Sequence, residues 1–106
     1  MAQNKSSLFN PEEIELADMA KALSHPARIK ILNILMDKNV CMCGDIVDLI
    51  PLAQSTVSQH LRELKRVGLI QGEIEGPKTC YCLDHAQLKR AKEAFQSLFT
   101  AVCQCD

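Results

Sequence analysis

Six cysteines in a chain of 106 residues fall into three Cys-x-Cys units: Cys41/Cys43, Cys80/Cys82 and Cys103/Cys105. Thiolates are soft ligands that select zinc, copper(I) and other thiophilic ions. By the same softness, a set of three thiolates suits trivalent arsenic and antimony. In an extended segment residues i and i+2 point to one face, so a strand-borne unit offers two sulfurs to one ion. Cysteine is also a small hydrophobe that buries readily, and a lone cysteine would be read that way. Three repeated pairs in so short a chain favour ligation or thiol chemistry at one unit at least. Paired cysteines also sense oxidants or persulfides through the thiolate, and that redox alternative stays open. A zinc ribbon is excluded by spacing, since structural zinc pairs are Cys-x2–4-Cys.

A second kind of chemistry lies in Pro51–Ile70, PLAQSTVSQHLRELKRVGLI. Pro51 stops what precedes it, because proline lacks an N–H and forces its predecessor out of α geometry. A helix starts near Ala53, with Val57, Leu61 and Leu64 as its buried stripe. Gly68 ends it, as a residue able to take positive φ. The opposite face carries Gln54, Ser55, Thr56, Ser58, Gln59, Arg62, Lys65 and Arg66. Short polar side chains suit base edges in a DNA major groove, and Arg and Lys suit phosphates. A solvated helix face is the plain alternative, and the neighbouring elements argue against it.

Those elements are read in chain order. Asn10, Pro11 and Glu13 open a first helix through a capping box, with Phe9 placed to staple against Ile14. It runs to about Leu23, with Leu16, Ala20 and Leu23 on one side. Ser24-His25-Pro26 breaks and restarts the chain. A second helix, Pro26 to about Asp37, is apolar nearly all round and reads as the central buried helix, with Arg28 and Lys30 on its polar surface. Val40–Cys43 is a short extended piece, and Asp45–Ile50 a short third helix. That helix, a turn and the Ala53 helix form a helix-turn-helix. Leu69–Glu75 and Thr79–Leu83 are strands joined by a turn at Glu75–Lys78, a "wing" whose tip places Lys78 near a phosphate. Asp84 and Gln87 form another capping-box pattern. The last helix reaches about Val102, with Leu88, Ala91, Phe95, Leu98 and Val102 in a heptad-like stripe. That stripe reads as a dimer surface, with intramolecular packing as its alternative.

Composition bounds the function. Apolar residues make up 47% and charged residues 24%, which is ordinary for a globular domain. The net charge of −1 leaves room for one locally basic face. Few aromatics argue against base-stacking single-strand binding. No apolar run approaches a membrane span, and residues 1–10 lack a signal pattern. The expectation is a cytoplasmic protein with cysteines reduced by default. An enzyme is not indicated: there is no Gly-rich phosphate loop and no His placed beside a nucleophile. A metal buffer without DNA binding would be richer in cysteine and would lack the ordered winged core.

Three stretches resemble the ArsR/SmtB family of bacterial metal-sensing repressors: LADMAKALSHPARIKILNIL at 16–35, VCMCGDIV at 40–47 and QSTVSQHLRELKRVGLIQGEIEGPKTCYCL at 54–83. The resemblance implies a homodimeric winged helix-turn-helix repressor that leaves double-stranded operator DNA when metal binds. It also implies that Cys41 and Cys43 match the arsenic-binding cysteines ahead of the third helix. Here Gly44 precedes Asp45, and position 46 is Ile46, so a third thiolate is not carried over. Asp84 and His85 begin the zinc pattern of the last helix, but Phe95, Gln96 and Leu98 stand where its remaining ligands would fall. His25 and His60 read as a capping and a half-buried helix residue.

The expected fold is mainly α with a small β-hairpin, a winged helix-turn-helix of order α-α-α-α-β-β-α. Residues 1–106 form one domain, with 1–9 and 103–106 as mobile ends. DNA contacts are expected from Gln54, Ser55, Thr56, Ser58, Gln59, Arg62, Lys65 and Lys78. The inducer is expected to be a thiophilic ion, As(III) or Sb(III) first, then cadmium, zinc or lead, with no organic cofactor. Its ligands are expected to be Cys41, Cys43, Cys80 and Cys82 in one cluster, because the extended piece before the third helix pairs with the returning wing strand. A rival site joins Cys41 and Cys43 to Cys103 or Cys105 of a second copy. Dimerisation is expected through the first and last helices.

Overall fold

The computed structural model describes residues 8–39, 41–43, 49–74, 79–100 and 102. Among them the chain forms α1 (Pro11–Ala22), α2 (Pro26–Lys38), α3 (Gln54–Arg66), β1 (Ile70–Glu73), β2 (Cys80–Leu83) and α4 (His85–Thr100). These four helices and antiparallel hairpin have the winged helix-turn-helix order expected. The expected third helix falls mostly outside the described residues, as does the hairpin turn.

Local chemistry explains the helix boundaries. Asn10 and Glu13 complete the capping box of α1 in both directions, at 2.8 and 3.0 Å. His25 caps α2, its Nδ1 accepting from the Ala27 N–H at 2.9 Å. Asn39 closes α2 in the left-handed region, at φ 55°. Gly68, at φ 84°, turns the chain out of α3.

The core lies where α2, α3 and the hairpin meet, around Ile31, Leu35, Leu64, Leu69, Ile70 and Tyr81. Three expectations change here. α1 buries Met19 and Ala22, and Ala20 is exposed. α2 is not buried all round: Ile29 and Met36 stand 42% and 50% exposed on its outer side. Arg28, expected on that helix's polar surface, folds inward instead.

The hairpin pairs Ile70 with Leu83 and Glu73 with Cys80. Gly72 faces Tyr81 at φ 121°, and a Cβ there would overlap the Cys80 carbonyl oxygen and stand 2.8 Å from Tyr81 Cα. Both obstacles are backbone, so neither can swing away. Gly72→Ala is therefore expected to destabilise the protein by about 2–3 kcal/mol, adding left-handed strain to overlap. Urea denaturation checks this: a midpoint equal to wild type would show that the wing relaxes freely.

Candidate functional site

The first part of the site is the outer face of α3. Val57, His60, Leu61 and Leu64 are buried. Gln54, Ser55, Gln59 and Arg62 are exposed, and Thr56 and Ser58 are half-buried at the edge of that face. The polar stripe and the buried stripe thus fall where the spacing put them. Lys65, expected to reach phosphate, instead donates from Nζ to the Gly72 carbonyl at 2.6 Å and ties the helix to the wing. Arg66 forms a forked pair with Asp18 of α1 at 2.9 and 3.0 Å and a bond to Glu63 at 2.6 Å. The guanidinium hydrogen bonds hold both carboxyls below their ordinary range. Arg66 is exposed and the two carboxylates only half-buried, so the ties orient α3 more than they stabilise it.

α3 is also anchored from inside. Arg28 donates from Nε to His60 Nδ1 at 3.0 Å and from its guanidinium to the Lys21 and Ala22 carbonyls at 3.3 Å. The His25 ring lies 4.4 Å from that of His60. His60 is more buried than expected, at 7% exposure. Burial, then the charges of His25 and Arg28, hold its pKa below the ordinary 6.5. A protonated His60 could not accept from Arg28. Between the lowered folded value and 6.5, the unfolded chain binds more protons, so stability rises with pH there and falls on acidification. Urea titrations at about pH 7.5 and 5.5 should show this loss, and His60→Gln should reduce the slope. An unchanged slope would move the acid sensitivity elsewhere.

The second part is the cysteines. Met42 and Tyr81 exchange both backbone hydrogen bonds, at 2.8 and 2.9 Å, so the segment around Met42 lies antiparallel beside β2. The residues flanking a hydrogen-bonded pair oppose each other as close, non-hydrogen-bonded pairs. Cys41 accordingly faces Cys82 with Cα atoms 4.3 Å apart, and Cys43 faces Cys80 at 4.0 Å. Both pairs are disulfide-bonded. Residues two apart share a face, so all four sulfurs gather on one side of this small sheet. With the sulfurs paired, no group of three or more free His, Cys, Asp or Glu side chains among the described residues is placed to hold an ion. Reduced, the same face presents four cysteine sulfurs, a donor set that fits a thiophilic ion. Cys103, Cys105 and Lys78 lie outside the described residues.

The cysteine face connects to α3. Immediately after β2, the Asp84 N–H donates to the Leu69 carbonyl at 3.0 Å. Asp84 Oδ1 accepts from the Gln87 N–H at 3.1 Å, half of the expected capping box. Gln87 does not reach back to close that box. Its side-chain amide donates to the Val67 carbonyl at the end of α3, at 3.0 Å. Two hydrogen bonds thus tie the residues that follow β2 to Val67 and Leu69, just past the C-terminal end of α3.

Residues 25–71 match the family described as bacterial regulatory protein, arsR family. The cadmium resistance transcriptional regulatory protein CadC homolog of Staphylococcus aureus is 33% identical over 90 residues, covering 84% of this chain and 74% of that protein. The chain belongs to the ArsR family. It is a helix-turn-helix transcriptional regulator and not an enzyme. The regulator CmtR of Mycobacterium tuberculosis is 38% identical over 79 residues, 74% of this chain and 66% of that protein. The solved structure of HlyU from Vibrio cholerae superposes on this ArsR-family chain with a TM-score of 0.65 at 27% identity, covering 87% of this chain and 99% of that one. Within this ArsR-family chain, sequence patterns alone missed Arg28 and Asp18. Both act across helix–helix junctions that no local spacing announces.

Proposed function

We propose that this ArsR-family chain is a cytoplasmic, homodimeric repressor that leaves its operator when a thiophilic ion binds the thiolates of Cys41, Cys43, Cys80 and Cys82. The observation that carries the reading is the convergence of two distant Cys-x-Cys units on one sheet face, joined to the end of α3. Trivalent arsenic or antimony would take three of these sulfurs, and cadmium, zinc or lead all four. The cadmium-resistance relative adds weight to cadmium. Ligation spreads sulfurs that the sheet holds close, so it strains the Met42–Tyr81 pairing, and β2 transmits that strain. Couplings of about 1–3 kcal/mol suffice to shift operator occupancy many-fold.

DNA is read, on this proposal, by Gln54, Ser55, Thr56, Ser58 and Gln59, with Arg62 and Lys78 on the backbone and Lys65 holding the wing to α3. Ser55→Ala and Gln59→Ala should each weaken operator binding by about 1–3 kcal/mol and relax sequence choice, whereas Lys78→Ala should weaken all sequences alike. Unchanged operator affinity in both alanine variants would move the reading surface elsewhere. A mobility-shift assay with reduced protein on its own promoter tests the whole reading, with arsenite, cadmium, zinc and peroxide added in turn. Release by an ion and not by peroxide supports the ion. The disulfides favour a second reading, a thiol-redox repressor of the same fold, for which peroxide alone would release DNA.

A further inference from the structure

A cavity of about 210 Å³ opens beside one of the two disulfides, lined by Leu35, Asn39, Cys41, Cys82, Leu83 and His85. We propose that this cavity admits a small thiol or its disulfide, and that Cys41–Cys82 is opened and closed there by thiol–disulfide exchange ahead of Cys43–Cys80. The exchange stands on the cavity and the disulfides alone; only its consequence for the inducer rests on the ion reading above.

Size and lining support the occupant. A cavity of roughly 150 Å³ holds benzene, so this one takes a thiol a little larger, such as free cysteine. Leu35 and Leu83 give apolar walls, and Asn39 and His85 give polar groups for a zwitterion's ends. The two sulfurs are not equivalent. Cys41 is exposed and Cys82 is half-buried, with exposed His85 at the start of α4 beside the same cavity. The incoming thiolate R–S⁻ attacks Cys41 Sγ, and a bond R–S–S–Cys41 forms. The Cys41–Cys82 bond breaks, and its electron pair leaves on Cys82 as a thiolate. A second R–S⁻ attacks the R sulfur, releasing R–S–S–R and the Cys41 thiolate. Each thiolate takes a proton from water according to its acidity. One disulfide is reduced and two small thiols are oxidised to one disulfide; the reverse sequence closes the pair.

The consequence follows from the shared sulfurs. A disulfide-bonded cysteine has no thiolate to give an ion, so the small-thiol pool decides whether the cluster can respond at all. Exposure alone predicts the opposite order of opening, because Cys43 and Cys80 are both exposed.

The test uses the full chain, oxidised and then treated with free cysteine for increasing times, quenched by alkylation and mapped by peptide mass. The first mixed disulfide is expected on Cys41 and the first alkylated thiol on Cys82, with this pair opening roughly tenfold faster than Cys43–Cys80. His85→Trp, a surface change that fills the mouth, should remove that advantage and leave the Cys43–Cys80 rate and operator affinity unchanged. Glutathione, too large to enter whole, should show a smaller preference than cysteine. First opening at Cys43–Cys80, equal slowing of both pairs by His85→Trp, or an oxidised chain lacking these two disulfides overturns the proposal. Failure of the ion reading leaves all of these readouts intact. In the mobility shift, oxidised protein should ignore cadmium until cysteine is added, and cadmium release with both disulfides intact overturns the regulatory consequence.

Discussion

Replacing Cys80 and Cys82 together by serine is expected to weaken inducer binding by more than about a hundredfold, or ~2.8 kcal/mol, and to leave operator affinity without inducer unchanged. Half of the donor set is lost, and the hydroxyls that replace it are hard ligands that do not compete for soft ions. The fold should survive. Serine is nearly isosteric, Cys80 is exposed and Cys82 half-buried, and the Met42–Tyr81 backbone pair that aligns the strands needs neither sulfur. Cadmium titration of the reduced variant, read by thiolate-to-metal charge-transfer absorbance, gives the affinity, and mobility shift gives the release. Full arsenite and cadmium response in this variant would leave only Cys41 and Cys43, and would turn attention to Cys103 or Cys105 of a second copy.

That the segment around Met42 lies beside the returning strand was legible, because the order of a winged helix leaves few other places for an extended piece before the third helix. Its register was not: that Cys41 meets Cys82 and Cys43 meets Cys80 depends on Met42 exchanging hydrogen bonds with Tyr81. The α3 face was legible for a similar reason, since one stripe of Val57, Leu61 and Leu64 fixes which residues point out. His60 was placed near that boundary, but only its junction with Arg28 and His25 shows that it is buried. Lys65 shows the reverse failure. Its type and position suit a phosphate, yet the Gly72 carbonyl lies close enough to claim it. Long flexible cations choose partners by tertiary proximity, which spacing along a helix does not encode.

The last helix divides in a way that the heptad stripe alone conceals, and the division supports an assembly. Leu88, Ala91 and Phe95 pack against the chain's own core, the intramolecular alternative for that part of the stripe. Beyond Phe95, Leu98, Phe99 and Val102 stand 53%, 63% and 67% exposed. Ile14 of α1 is also exposed, as are Leu8 and Phe9 just ahead of that helix, so both partners of the expected Phe9–Ile14 staple are largely open to solvent. α1 and α4 pack together, pinned by Arg90 and Glu15 at 3.1 Å. Leu98, Phe99 and Val102, three large apolar side chains exposed within five residues, suit a surface that a partner covers. Leu98→Glu is therefore expected to give a folded monomer. Leu98 is 53% exposed and lies outside the buried core cluster, whereas a symmetric interface would have to desolvate a carboxylate in each protomer, costing several kcal/mol. A dimer reads two half-sites about 34–36 Å apart, and losing the second converts a linked event into two independent ones. Operator affinity should fall by about 10²–10⁴-fold, with helical content unchanged by circular dichroism. Sedimentation velocity at micromolar concentration decides the matter. A variant that sediments as a dimer would shift the interface to the exposed Ile29 and Met36 side of α2, and a monomeric wild type would remove the dimer from the mechanism.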